Sequence, residues 1–242
     1  MKRYNNFQML NSCRAKVPEM YINIKDYKIS IMRVVLSLLA TFLQIYSQAF
    51  AAPISAQVTD EDGNPLEFAV ITLVGENPTL ETKNAVMPPP IMTQQNIQFS
   101  PFVLPVAVGT TVSFPNKDNI RHHVYSFSKV KRFELELYGE DEEKSVVFDK
   151  EGVVALGCNI HDNMLAYIYV ARSHQFGTTN DLGSIEIANV NPGVYFVYVW
   201  HPRMSGDEEE YKRQITVTDQ GLDQIQFRIP LKRERNRSRS KY

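Results

Sequence analysis

The chain is poor in cysteine: of 242 residues only Cys13 and Cys158 carry a thiol. That excludes a disulfide-dense scaffold, and it excludes the Cys-x-x-Cys-His unit that attaches haem. There is one tryptophan, Trp200. No stretch keeps a helical period over three turns, so a helix bundle is not expected. No paired carboxylates and no phosphate-cradling loop stand out, so the sequence does not read as an enzyme. Charge of one sign is also lacking: 26 Lys and Arg face 27 Asp and Glu, for a formal net charge of −1. Nucleic acid is therefore not an expected partner.

That near-neutrality hides an asymmetry. Lys232 to Tyr242 carry six Lys or Arg against one Glu, behind an acidic body. Residues 232–242 read as a basic, disordered tail. Two acidic runs, Glu140-Asp141-Glu142-Glu143 and Asp207 to Glu210, read as solvated loops; steering of a cationic redox partner is the functional alternative.

Residues 1–51 do not read as fold. Val34 to Phe50 are mostly apolar, follow Arg33 and end at Ala49-Phe50-Ala51. A basic flank, a short apolar core and a small-x-small end make an export signal cleaved near Ala51. Met32 followed by Arg33 would give such a signal a conventional start. Gln44, Ser47 and Gln48 make the run too short and polar for a membrane span, although an uncleaved anchor is the rival reading. Export to the periplasm is the expectation, with no stable span after cleavage. Only Cys158 then survives, and a lone cysteine in an oxidising compartment is paired with another chain, buried and inert, or bound to something.

The remainder reads as β structure. Ile54 to Thr59 and Phe68 to Val74 are expected to form a hairpin around Asp60-Glu61-Asp62-Gly63-Asn64-Pro65. Residues 75–95 are rich in Pro, Asn and Thr, with Pro88-Pro89-Pro90 as a stiff break. Strands are expected over 99–108, 110–114, 123–127, 133–137, 145–148, 152–156 and 166–170, then over 184–188, 195–200, 214–218 and 224–229. Many short strands separated by turns suggest sandwiches or barrels.

The chemistry concentrates in Cys158-Asn159-Ile160-His161-Asp162-Asn163-Met164. A thiolate, an imidazole and a thioether at i, i+3 and i+6 suit one cation. Two nitrogens and a sulfur with a long axial Met form the blue-copper set. Zinc could use the Cys and His residues but gains little from Met. A Cys–His nucleophile lacks a third orienting group and leaves Met164 unexplained. The second imidazole must come from Phe114-Pro115-Asn116-Lys117-Asp118-Asn119-Ile120-Arg121-His122-His123-Val124, as His122 or His123. His174 and His201 read as structural or exposed.

Residues 91–171 resemble the cupredoxins, above all the amicyanin-like members, in the short Cys-x-x-His-x-x-Met loop and in "NKDNIRHHV" and "GVVALGCNIHDNM". The arrangement is similar to proteobacterial proteins labelled methylamine-utilisation or plastocyanin-like. The resemblance implies His122, Cys158, His161 and Met164 as ligands of one type 1 copper ion. His123 stands where many members have Asn, which makes it a fallback ligand. Residues 54–87 and 172–231 resemble the two halves of carboxypeptidase regulatory-like (carbohydrate-binding-like) β-sandwich domains, in "AQVTDEDGNPLEFAVITL" and "TTNDLGSIEIANVNPGVYFVYVWHP". Together these imply an all-β chain, a cupredoxin Greek-key sandwich (91–171) inserted into a discontinuous outer sandwich (54–87 plus 172–231).

The function so implied is one-electron transfer, tuned by Met164 and by an apolar shell of Phe114, Phe127 and Leu156, with electrons leaving through the edge of His161. A redox protein, such as a c-type cytochrome or a dehydrogenase, would be the partner. Two rivals remain: a copper carrier or sequestering protein with the same ligands, and a glycan- or protein-binding module displaying Trp200 and Tyr195. Those two aromatics are expected to be core.

Overall fold

The computed structural model describes residues 52–77, 89–140, 142–218, 221–222 and 224–233. The expected export signal, the Pro-rich break up to Pro88 and the basic tail from residue 234 lie outside them.

Alternating apolar and polar residues set the architecture, since period two places one side of each strand inward. The first strands are β1 (Ala52–Thr59), β2 (Val70–Gly75), β3 (Thr93–Gln95), β4 (Gln98–Ser100), β5 (Val103–Ala107), β6 (Thr110–Pro115), β7 (His122–Phe127) and β8 (Arg132–Tyr138). They are followed by β9 (Glu143–Phe148), β10 (Gly152–Cys158), β11 (Leu165–Ala171), β12 (Gln175–Thr178), β13 (Ser184–Val190), β14 (Gly193–Trp200), β15 (Arg213–Val217) and β16 (Ile225–Arg228). Among the described residues the only helical piece is a single 3-10 turn, Glu208–Tyr211. No helix among them is long and apolar enough to cross a membrane.

Strands from the two ends of the described chain pair with one another. One sheet runs β13-β1-β16 and a second runs β12-β2-β14-β15. Ile54, Val58, Ile71, Leu73, Val197 and Phe227 close the core between them. The middle strands form their own set: a five-stranded sheet β5-β11-β10-β7-β8, the pair β6-β9 and the hairpin β3-β4. Val112, Phe114, Val124, Phe148, Leu156 and Ile168 pack between these. Burying a side chain of this size stabilises by about 1.5–3 kcal/mol, so this second core can hold a rim rigidly.

The expected β1–β2 hairpin does not form. Its turn does: Asp60 accepts from the amides of Asp62 and Asn64. Leu66, however, enters the core, and the chain crosses to the opposite sheet through Phe68 at φ 65°. Thr179 fixes that crossing, accepting from the Ala69 amide and donating to the Leu66 carbonyl. The expected strand 99–108 is two strands, broken by a cis Ser100–Pro101 bond. β3 and β12 were not expected; both are short and polar.

The two sets meet along aromatics. Phe102 packs on Phe68 at 5.3 Å and on Tyr167 at 5.6 Å, and Trp200 lies 5.7 Å from Tyr167 and 5.5 Å from Tyr169. Beside them Arg172 donates to Glu208 at 2.8 Å and Glu209 at 2.9 Å and stacks 4.2 Å over Tyr198, while the Tyr169 hydroxyl donates to Glu208 at 2.6 Å. The second acidic run is thus not simply a solvated loop. Asp207 and Glu210 cap the 3-10 turn, and Glu208 and Glu209 hold Arg172.

Candidate metal centre

β7 and β10 are antiparallel neighbours, with Val124 opposite Cys158, so the start of one and the end of the other share a rim. The β10 pattern turns Val154, Leu156 and Cys158 inward. On β7 the same alternation turns His122, Val124 and Ser126 inward. His161 follows in the loop between β10 and β11, where the Met164 amide closes a turn on the His161 carbonyl at 3.1 Å.

These placements bring three donors together. One ligating atom each from His122, Cys158 and His161 all lie within 4.8 Å of one another. His122 Nδ1 is 3.2 Å from His161 Nδ1, and Cys158 Sγ is 3.6 Å from the same nitrogen. Such separations suit an ion bound at about 2.0–2.3 Å by two imidazoles and a thiolate. Cys158 is not in a disulfide and is buried, and His122 is fully buried while His161 is partly exposed. Met164 is buried in the same apolar cluster as Cys158.

A second layer orients the first. His122 Nε2 lies 2.8 Å from Asp118 Oδ2, and since the carboxylate only accepts, that nitrogen carries the hydrogen. The lone pair of Nδ1 is then left for the cation, the usual arrangement of a metal-binding histidine held by a carboxylate. Burial pushes the Asp118 carboxyl up, but the Ile97 amide, His122 and the Asn96 amide outweigh it and hold it below the usual carboxylate range. Asn116, fully buried, accepts from the Asp118 amide at 2.9 Å and donates to the carbonyls of Ile120 and Tyr138 at 2.8 and 3.1 Å. Burial raises the Tyr138 phenol, against its hydrogen bond from Gln94.

His123 is not a fourth donor. It points to the opposite face, where its Nε2 lies 2.7 Å from Glu134 Oε1 and its ring stands 5.9 Å from Tyr125. Its Nδ1 is buried without a partner. Phe127 shares that outer face and is 75% exposed, so it is not part of the shell around Cys158. Phe114 and Leu156 are. Asp118 was not found from the sequence; the available signal was an acid four residues before a ligand histidine. Of the remaining histidines, His201 is buried and accepts from the Arg203 amide at 3.2 Å, and burial lowers its pKa. Tyr195 is fully buried. With Trp200 packed on Tyr167 and Tyr169, these residues form no exposed platform.

No known family pattern matches the chain, and no curated protein matches it. Among solved structures it is similar to copper proteins of the cupredoxin class. One is a purple cupredoxin from Nitrosopumilus maritimus, 22% identical over 34% of this chain and 98% of that one, with a TM-score of 0.31. Another is an amicyanin variant in its Cu(I) form, 19% identical over 41% of this chain and 97% of the other, with a TM-score of 0.32. A third is a copper-containing nitrite reductase from Thermus scotoductus, 28% identical over 40% of this chain but only 27% of the reductase, with a TM-score of 0.33.

Proposed function

We propose that the protein transfers single electrons through one type 1 copper ion, which His122, Cys158, His161 and Met164 would hold. The observation that carries this is the mutual approach of two imidazole nitrogens and one cysteine sulfur at the rim of a β-sandwich. Soft thiolate and thioether favour Cu(I), and imidazole suits both oxidation states. Bound copper would supply the one-electron couple.

The chain's own residues do the rest. Asp118 holds the His122 tautomer, the core around Phe114 and Leu156 excludes water from Cys158, and the partly exposed His161 offers the edge through which an electron leaves. Residues 91–171 are read as the cupredoxin domain and residues 54–87 with 172–231 as the frame into which it is inserted. The site lies in an exported, periplasmic protein under this reading, and a redox protein accepts or donates the electron. Arg172, held by Glu208 and Glu209, would fix the orientation of the copper face on that frame.

The test is metal loading of the purified chain lacking residues 1–51. One equivalent of cupric ion should give an intense thiolate-to-copper band in the visible and a reversible one-electron couple. A colourless copper complex would refute the reading.

A further inference from the structure

The hairpin β3–β4 touches the rim of the site at its tip and at its root. At the tip, the backbone amides of Asn96 and Ile97 both donate to the Asp118 carboxylate, at 2.7 Å to Oδ1 and 3.0 Å to Oδ2. At the root, fully buried Gln94 donates from its amide nitrogen to the Tyr138 hydroxyl and to the Phe114 carbonyl at 3.3 Å. The Lys117 amide donates to the Gln94 carbonyl at 2.8 Å. The hairpin therefore grips the strand end of β6 and the start of the loop that follows it, at Lys117 and Asp118.

The tip conformation is not one its residues prefer. Asn96 and Ile97 both have positive φ, 56° and 58°. Two successive positive φ values make the turn type that favours Asn-Gly. Asn96 suits the first position, but a β-branched residue at the second is an outlier. Ile97 is 43% exposed, so core packing does not explain the choice. What the conformation does achieve is to present two adjacent amides to one carboxylate.

We propose that the β3–β4 hairpin is a clamp on Asp118, and that Asn96 and Ile97 are positioning residues that orient the His122 ring through it. With both carboxylate oxygens held by amides, Asp118 cannot swing away, and the third bond, from His122 Nε2, is fixed in direction. The Nδ1 lone pair then faces Cys158 and His161 before any cation arrives. The consequence for copper rests on the proposed function; the clamp itself does not.

Hydrogen exchange in the metal-free protein separates the two. The amides of Asn96 and Ile97, though in a solvent-facing turn, should exchange slowly, and Asp118→Ala should speed them by about tenfold or more. Amides of β1 and β16 should be unaffected, which distinguishes release of the clamp from global loosening. Should Asp118→Ala not fold, the wild-type protein still decides: the His122 Nε2 proton should be visible by nitrogen-edited NMR as a slowly exchanging signal, and its absence overturns the clamp. Unchanged exchange at Asn96 and Ile97 in a folded Asp118→Ala overturns it as well. In the second arm, Asp118→Asn should weaken copper binding about 10- to 100-fold and move the visible band. Fast exchange with a normal copper band would sink the clamp and leave the copper reading standing. Protected amides without a band would do the reverse.

Discussion

Replacing Arg172 by methionine removes a guanidinium shared by Glu208, Glu209, the Tyr198 ring and, at 3.9 Å, Glu151, while keeping an apolar stem of similar length. The Arg172–Glu208 contact is the substantial one: 2.8 Å, between side chains 22% and 16% exposed. A hydrogen bond to a charged partner in such a setting is worth about 1.5–3 kcal/mol, reduced because neither group is fully dry. The Glu209 contact, half exposed, adds about 0–1 kcal/mol. Stacking over Tyr198 adds about 0.5–1 kcal/mol, part of which methionine retains. These act on one residue and do not sum, so the expected loss is about 2–3 kcal/mol. Urea unfolding of the metal-free protein should show it as a lower midpoint with an unchanged slope. Much of the loss is the isolation of Glu208, which keeps only the Tyr169 hydroxyl. Adding Glu208→Gln to Arg172→Met should therefore recover part of it. A loss under about 0.5 kcal/mol, or strict additivity in the double variant, would refute the reasoning.

Four further outcomes are expected. Cys158→Ala should abolish the visible copper band. Met164→Leu should keep the band and raise the reduction potential, because the cupric form would lose the thioether donor of the proposed site; both are read by absorption and voltammetry. At Gly157 an added Cβ would stand 2.8 Å from Tyr125 Cζ and 2.9 Å from its hydroxyl, so Gly157→Ala should cost about 1–3 kcal/mol of stability, with Tyr125→Ala in the same chain removing most of the penalty. Burial, with Asp207 and Glu209 adding, raises the Glu208 pKa above its ordinary 4.5, against Tyr169 and Arg172. A raised folded value means stability that is full at low pH and lost as pH climbs through it. The melting temperature of Glu208→Gln relative to wild type should therefore improve as pH rises from the ordinary carboxylate range, and a flat difference would contradict the assignment.

Much of this was legible in the sequence because period-two patterning is local. The strands expected from 110–114 through 166–170 all exist, and Cys158 and His161 met His122 where loop spacing and the family resemblance pointed. What failed was non-local. The turn at Asp60 looked like a hairpin because turn chemistry says nothing of which sheet the next strand joins. Phe127 looked like a shell residue because it is large and near the ligands, yet it lies an odd number of residues from His122 and so faces out. The Glu208 run looked solvated because its partner, Arg172, lies more than thirty residues earlier. Asp118 was hidden because the amides that hold it come from a hairpin too polar and short to announce itself.

The pairing of β1 separates frame and site along the chain. Ala56 lies beside Ile225 in parallel register and beside Ile185 on its other edge. A chain ending just before Arg213 would leave the first strand with one bare edge and would strip Phe227 and Ile229 from the core beneath it. Every strand hydrogen-bonded to β7 and β10 would already be present by Ala171. The rim holding His122, Cys158 and His161 is thus complete in its pairing some fifty residues before the surrounding sheets can close.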